Sequence, residues 1–219
     1  MLGKTFARLK KQKNNKTAAA VSSNHSDDAP KIGRIAKMLS ASGRVSLASL
    51  RKLAQDHEAD VFTTYLQRPV LVGSAIKSGT ISSAGMNNDV LNSTQIFEPS
   101  KSQGSSISVS ESLKHAIYPM IKGEYPATPR GAFYIGRING NDMIMPDYAI
   151  SKRHAIIDIE DGIYYIRDTG STNGTRLNGS RLGKKPMQLR DKDVVAFARY
   201  EFTFLYPKSL YNMLRDASS

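Results

Sequence analysis

The chain has 219 residues, of which 40% are hydrophobic, and it carries a formal net charge of +12. It contains no cysteine, which excludes disulfides, cysteine nucleophiles and cysteine-ligated zinc or iron–sulfur sites. There is no run of roughly 20 apolar residues that could cross a bilayer and no apolar signal-peptide core, so we expect a soluble, cytoplasmic protein of one or two small domains.

The basic excess lies in the N-terminal part of the chain. Residues 1–130 hold 18 Lys/Arg and 9 Asp/Glu, whereas residues 131–219 hold 13 and 10. Residues 1–30 are polar and carry a cluster of cations at Lys4, Arg8, Lys10, Lys11, Lys13 and Lys16. Such a composition is typical of a disordered, solvated tail. A contact with an anionic membrane or nucleic acid is the sharper alternative.

Residues 31–77 have the apolar spacing of a small helical region. Between Lys31 and Gly43 one helical face is formed by Ile32, Ile35, Met38 and Leu39. A second segment from Ser46 should end by Arg68, before Pro69, and its face comprises Leu47, Leu50, Leu53, Ala54, His57 and Val61. Two short helices predict either a helix-turn-helix or an ordinary αα-hairpin. The apolar run at 70–73 is then a short strand or a turn docking that hairpin.

Residues 78–111 are rich in Ser, Gly and Asn, which predicts a linker. After residue 111 the spacing favours short strands, which are Ala132–Arg137, His154–Glu160, Ile163–Asp168, Asp193–Phe197 and Tyr200–Tyr206. Pro119 suits an edge strand, and Glu160-Asp161-Gly162 predicts a tight turn. Ser209 could cap a last short helix through Leu210, Met213 and Leu214. Several short strands at regular spacing indicate a mainly β fold, a sandwich or a barrel.

Three polar clusters fall at turns between the predicted strands. They are Gly136-Arg137, the segment Ser151-Lys152-Arg153-His154, and the segment from Asp168 to Thr175 that reads DTGSTNGT. Each has an ordinary explanation when taken alone, since Gly-Arg can end a strand, Ser-Thr-Asn-Gly forms a turn in many β proteins, and His154 could be a core histidine. The informative feature is the occurrence of all three in this order on short strands.

This set resembles the forkhead-associated (FHA) domain of bacterial-type adaptors. The resemblance covers roughly residues 112–207 and includes Asn141-Asp142 and Asn178-Gly179. It implies that residues 112–219 form an antiparallel β-sandwich that binds phosphothreonine peptides. It also implies the site residues, which are Arg137, Ser151, Lys152, Thr172 and Asn173 for the phosphopeptide, and Gly136, His154, Gly170 and Gly174 for the scaffold. Lys192 and Ala198 stand where this family usually has glycine, away from the phosphate set.

A guanidinium, hydroxyls and backbone N–H groups are the donors that suit a phosphate with three acceptor oxygens. No signature of a kinase, hydrolase or metalloprotease is present, and the segment 179–185 is too short for a P-loop and lacks its Ser/Thr. The four histidines have no ligand spacing. We therefore predict a protein without catalytic activity, cofactor or metal.

The predicted function is a signalling adaptor that binds a phosphothreonine-containing protein downstream of a Ser/Thr kinase. Thr94 is a candidate phosphosite, because Phe97 follows it by three positions and the resemblance implies that this ligand position is often read. A phosphorylated Thr94 could fold back onto the domain and inhibit it; an unmodified linker is the alternative. A different reading is a DNA-binding regulator that uses helices at 31–66, although nucleic-acid binding is the weaker expectation.

Overall fold

The computed structural model describes residues 35–77, 109–122 and 127–216. The predicted basic tail, residues 31–34 of the first predicted helix, most of the predicted linker and Thr94 lie outside these residues. The helix predicted between Lys31 and Gly43 is too long, because within the described residues its helical backbone covers only Ile35 and Ala36 and turns follow. None of the described helices is both long and apolar enough to span a membrane.

Two sheets make up the C-terminal part of the fold. The strands are β1 Val70–Gly73, β2 Ile117–Pro119, β3 Ala132–Gly136, β4 Met143–Ile144, β5 Ala155–Glu160, β6 Ile163–Asp168, β7 Thr175–Leu177, β8 Ser180–Arg181, β9 Met187–Gln188, β10 Val194–Phe197 and β11 Tyr200–Leu205. The first sheet has the order β2-β1-β11-β10-β7-β8 and the second β4-β3-β5-β6-β9. Neighbouring strands are antiparallel, except for the short parallel pair β3–β4.

The predicted fold class is confirmed, because the two sheets form a β-sandwich accompanied by a few helices. The five strands predicted from residue 132 onwards match β3, β5, β6, β10 and β11 to within one residue at each end. Pro119 lies in β2, at the edge of the first sheet, as predicted. The strands that the sequence did not reveal, β4 and β7 to β9, have two or three residues each, too few for an alternating pattern to appear.

Five helices lie wholly within the described residues. They are α1 Leu47–Asp56, α2 Ala59–Leu66, α3 Ser74–Lys77, α4 Val109–Lys114 and α5 Pro207–Asp216. Ser46 caps α1 by accepting a hydrogen bond from the Ser49 backbone N–H at 3.4 Å.

The prediction of a single helix from Ser46 to Arg68 is wrong, because this segment forms two helices, α1 and α2. The backbone is extended at His57 and Glu58, which resets the helical phase. Phe62 is therefore fully buried, whereas Val61, predicted on the apolar face, is 39% exposed. Ser209 does not begin α5 either: Pro207 stands at the first helical position, where its fixed φ and missing N–H are tolerated.

Two hydrophobic cores lie on opposite faces of the first sheet. One core fills the sandwich and includes Leu71, Phe202 and Phe204; the other includes Val70 and Val72 and joins the sheet to α1, α2 and α5. Alternate residues of β1 thus enter different cores, which explains why this strand is apolar at every position.

The chain organisation differs from the boundary predicted at residue 112. β1 pairs with both β11 and β2, so residues 70–73 are part of the sandwich. The Ser/Gly/Asn-rich segment therefore joins two neighbouring strands of one sheet rather than two separate domains. Sequence patterns could not reveal this, because the pairing of β1 with β11 joins Val70 to Leu205.

Candidate functional site

Three loops meet at one end of the sandwich and carry the residues predicted for the site. Arg137 follows β3, Ser151 and Lys152 precede β5, and Thr172 and Asn173 lie between β6 and β7. The loops are joined by backbone hydrogen bonds, since Arg137 N–H donates to the Ser151 carbonyl at 3.0 Å and Thr169 N–H donates to that of His154 at 3.1 Å. The fold therefore brings all three sequence clusters together.

Gly136 allows the first two loops to approach each other. A Cβ at this position would collide with the backbone carbonyl of Lys152 and would come within 2.8 Å of the Asn141 amide nitrogen. Asn141 itself donates to the Lys152 carbonyl at 2.9 Å and to that of Ile138 at 2.8 Å. Any side chain at 136 would push the Ser151 loop away from Arg137.

Arg137 has unused hydrogen-bonding capacity. Its Nε is buried without a hydrogen-bond partner, and its guanidinium forms no salt bridge with any residue in the described ranges. The guanidinium lies 5.2 Å from the centre of the Tyr148 ring, and Tyr148 is otherwise 93% exposed. A buried donor without a partner costs free energy, so this arrangement favours a bound acceptor.

The other two loops supply hydroxyl and amide groups. Ser151 Oγ accepts a hydrogen bond from the Thr172 backbone N–H at 3.1 Å, which leaves the hydroxyl proton available for donation. Asn173 Nδ2 donates to the Ala149 carbonyl at 2.8 Å. This bond uses one of the two amide protons and leaves the carbonyl oxygen for another contact. Thr172 and Asn173 are both exposed at the mouth of the site.

His154 connects two of the three loops from beneath. It is fully buried and packs edge-to-face on Phe197, with ring centroids 5.9 Å apart. Nδ1 accepts from the Ser151 N–H at 3.1 Å, so Nε2 carries the proton and donates to the Gly174 carbonyl at 3.2 Å. Burial lowers the pKa of His154, against the smaller effects of the Gly174 carbonyl and Asp168. The imidazole is therefore neutral and braces the loops.

Asp168 is a structural residue of the third loop to which sequence reasoning assigned no role. Its carboxylate accepts four hydrogen bonds of 2.6 to 2.8 Å, from the backbone N–H groups of Gly170 and Ser171 and the hydroxyls of Ser171 and Thr175. Burial would raise the pKa of Asp168, but these bonds outweigh it and lower the pKa. An Asp two residues before glycine and three before serine is the sequence signal of this turn.

A known protein family matches the segment that carries the three loops. The family model for the FHA domain matches residues 133–198, a range that includes all three loops. These residues form an FHA domain.

Relatives of the FHA domain are found in proteins of different architecture. An ABC transporter ATP-binding/permease protein of Mycobacterium tuberculosis is 40% identical over 76 residues, which are 35% of this chain and 9% of that protein. An FHA domain-containing protein of Arabidopsis thaliana is 36% identical over 74 residues, 33% of this chain and 19% of that one. Among solved structures, Mycobacterium tuberculosis EmbR in complex with a low-affinity phosphopeptide is 32% identical, with 35% of this chain and 20% of that chain covered and a TM-score of 0.33. The chain spans less than a fifth of the length of either curated relative.

The two departures from the family pattern keep the backbone conformation of glycine. Lys192 has φ 70° and Ala198 φ 54°, and both stand in turns on the late-strand side of the FHA domain. Both positions therefore adopt a backbone conformation that glycine favours, with residues that favour it less.

Asp147 is a second residue of the FHA domain that the sequence did not reveal. Its carboxylate accepts from the Tyr200 hydroxyl at 2.6 Å, from the Ala149 N–H at 2.8 Å and from Arg199 at 2.8 Å. Burial would raise the pKa of Asp147, but these three donors outweigh it and lower the pKa. Asp147 thereby holds the loop that presents Tyr148 beside Arg137 and the Ala149 carbonyl to Asn173.

Lys152 and Thr128 differ in their exposure to solvent. Lys152 is exposed. Thr128 is buried and donates to the Asp142 carboxylate at 2.7 Å, so its hydroxyl is not available as a phosphosite. Across the described ranges, no group of three or more His, Asp or Glu is placed to hold a metal ion.

Proposed function

We propose that this chain is a phosphothreonine-peptide-binding signalling adaptor that acts downstream of a Ser/Thr protein kinase. The observation that carries the proposal is the state of Arg137, a guanidinium with a buried, unpartnered Nε at the meeting point of three donor-bearing loops. EmbR, a relative by this domain, has been solved with a low-affinity phosphopeptide, which supports the same class of ligand here.

The chemistry of the ligand matches these loops. A phosphothreonine has close to two negative charges and three acceptor oxygens. Arg137 can donate two parallel hydrogen bonds to such a group, and the Ser151 hydroxyl and Thr172 can add two more contacts. Asn173 can both donate to and accept from the main chain of a bound peptide, and exposed Lys152 adds a weaker, solvent-screened attraction.

The site is suited to binding rather than to a reaction. His154, the histidine of the site, is buried and has both ring nitrogens occupied. Asp168 is likewise occupied by four donors. Neither group can act as an acid or base on a ligand without dismantling the loops, so recruitment of a phosphorylated partner by affinity is the function that the residues support.

The test is fluorescence-polarisation binding of the full chain to a library of phosphothreonine peptides. Arg137→Ala is expected to weaken binding at least about tenfold, because one charge-assisted hydrogen bond contributes roughly 1.5–3 kcal/mol. Lys152→Ala should change it only a few-fold, because an exposed charge contributes less.

Arg190→Ala is the matched control. Arg190 follows Leu189, whose N–H donates to the Tyr164 carbonyl, and so lies at the opposite end of β6 from the three loops. Arg190→Ala removes the same charge as Arg137→Ala and should leave the affinity for phosphothreonine peptides unchanged. Equal losses for Arg137→Ala and Arg190→Ala, or equal affinity for phosphorylated and unphosphorylated peptides, would contradict the proposal.

The proposal also includes autoinhibition, in which phosphorylated Thr94 occupies the phosphothreonine site of its own chain. About 15 residues separate Thr94 from the described chain on either side, and such a segment can extend roughly 50 Å. A tethered ligand has an effective concentration near the millimolar range, so even weak binding would occupy the site. Kinase-phosphorylated chain should bind a reference peptide more weakly than phosphorylated Thr94→Ala. The same affinity for both proteins would remove the autoinhibition and leave the adaptor proposal intact.

The DNA-binding alternative receives no support from the described helices. α1 and α2 bury their apolar faces against α5 and β1 in the second core. The exposed junction between them carries Asp56, Glu58 and Asp60. A negatively charged junction would repel the phosphates of DNA.

A further inference from the structure

A basic surface borders the third loop of the candidate site. Residues 176–190 contain five Lys/Arg and no Asp/Glu. Arg176, Arg181, Lys184 and Lys185, the four nearest to the loop in sequence, are all exposed. The segment lies directly beside the loop, since Leu182 N–H donates to the Thr175 carbonyl at 2.8 Å and Asp168 N–H to that of Gly183 at 3.0 Å.

Arg181 lies beside the site, against the third loop. Its guanidinium covers the backbone of Gly174, so that a Cβ at 174 would lie 3.0 Å from Arg181 Nε and 3.1 Å from its Cζ. Gly174 immediately follows Asn173, the residue proposed to hold the peptide main chain. A peptide held by Asn173 would therefore pass close to this second guanidinium.

Arg176 and Arg181 face each other on the β7–β8 hairpin. They are direct cross-strand partners in the register of the two strands, and like charges in that relation are destabilising. Neither forms a salt bridge with any residue of the described ranges; Arg176 makes only a long hydrogen bond of 3.4 Å to the Ala198 carbonyl. The pair is thus a surface position where an added anion would relieve repulsion.

We infer that Arg181, together with Arg176, forms a second anion subsite that selects phosphothreonine peptides carrying another negative charge near the phosphothreonine. The inference rests on the proposed function, because the same peptide occupies both subsites. The second charge is either a carboxylate of Asp or Glu or a second phosphate. Both are acceptors that a guanidinium binds, and a phosphate would bind more strongly because of its higher charge.

The test is a positional scan with full-length protein. One phosphothreonine peptide that binds is remade with Asp, and separately with phosphoserine, at each of the five positions on either side. We expect at least one position to increase affinity about five- to tenfold, with a gain that shrinks as ionic strength rises. Arg181→Gln should abolish this gain while binding the parent peptide like the unaltered protein.

Arg190→Gln is the control for net charge, because Arg190 belongs to the same acid-free run yet lies at the other end of the six-residue strand β6. It should keep the full gain. Thermal unfolding of Arg181→Gln should give an unchanged or higher Tm, because the substitution removes a like-charge pair. A gain for phosphoserine but not Asp would identify a doubly phosphorylated ligand, and a gain for both an acidic motif.

Three results would overturn the inference and leave phosphothreonine binding standing: no position gains affinity, the gain persists in Arg181→Gln, or Arg190→Gln abolishes it equally. Failure of the protein to bind any phosphothreonine peptide would instead overturn the proposed function, and the second subsite with it.

Discussion

Arg137 and His154 lie in the same loop cluster but in contrasting chemical environments. Both ring nitrogens of His154 are hydrogen-bonded inside the protein, so its polar atoms are used for structure. Arg137 has a buried Nε without a partner, an arrangement whose cost of about 1–3 kcal/mol must be met by the surrounding fold. Arg51 Nε, in α1, is also buried without a partner, so it is the position of Arg137 where the three loops meet that points to a ligand.

The neutral state of His154 predicts a pH dependence of stability. Burial lowers its pKa below the ordinary value of 6.5, so the unfolded chain takes up a proton at this imidazole before the folded protein does. The unfolded state then binds more protons, and the free energy of unfolding falls as pH decreases. The loss begins near pH 6.5 and grows until the pH reaches the lower pKa of the folded state.

Urea unfolding between pH 8 and 5 measures this effect, with His154→Gln as the comparison. The slope of unfolding free energy against pH should be smaller in the variant below pH 6.5, whatever its overall stability. Asp168, whose pKa is lowered from 3.8, loses its contribution only as pH falls below about that value and does not affect this window. Parallel slopes for the two proteins would contradict the assignment of a neutral, buried imidazole.

At the scale of elements, the tight turns determine which strands become neighbours. Asp161 and Gly162 both have positive φ in the two-residue turn between β5 and β6, the conformation for which Asp-Gly is favoured. Ala198 occupies the first position of the two-residue turn between β10 and β11 and also has positive φ. Alanine is less suited to that conformation than glycine, because its Cβ approaches the following carbonyl.

Ala198→Gly is therefore expected to increase the free energy of unfolding by about 0.5–1 kcal/mol, since the relief of left-handed strain exceeds the added entropy of the unfolded chain. Lys192→Gly should act in the same direction. Gly162→Ala is the matched opposite, with φ +79° and open space around its Cβ position, so its loss of stability would come from the backbone alone. Chemical denaturation measures the free energy of unfolding of all three variants. A lower value for Ala198→Gly would contradict the prediction and show that the alanine methyl packs favourably.

At the scale of the whole molecule, the helices and the sandwich share one sheet. β1, β2 and β11 contribute one face to the sandwich core and the other to the core beneath α1, α2 and α5. Removing the helices would expose the apolar residues of the second face, among them Val70, Val72 and Leu205. The N-terminal helices therefore stabilise the FHA domain by covering an otherwise exposed apolar surface.

A fragment of residues 112–219 is consequently expected to be unfolded or aggregated, because it lacks β1. Without β1, strand β2 loses its partner and β11 presents an open edge. The control is the full chain with residues 80–106 replaced by about ten Gly/Ser residues. α3 and α4 pack against each other, so a short connection can join them. Circular dichroism and thermal unfolding distinguish the two, and a cooperatively folded 112–219 fragment would contradict this prediction.

The sequence alone determined the features that depend on local pattern. Alternating strands and Asp-Gly or Asn-Gly turns predicted the β architecture, and the order of Gly136-Arg137, Ser151 to His154 and Asp168 to Thr175 identified the family. These signals are visible because each lies within a few consecutive residues.

Only the tertiary structure decided how distant segments combine. It joined β1 to β11, anchored the second loop to Tyr200 through Asp147 and brought Arg181 over Gly174. It also divided the predicted long helix and buried Phe62 instead of Val61. The physical reason is that pairing, burial and close approach depend on contacts between residues far apart in the chain, which no local periodicity records.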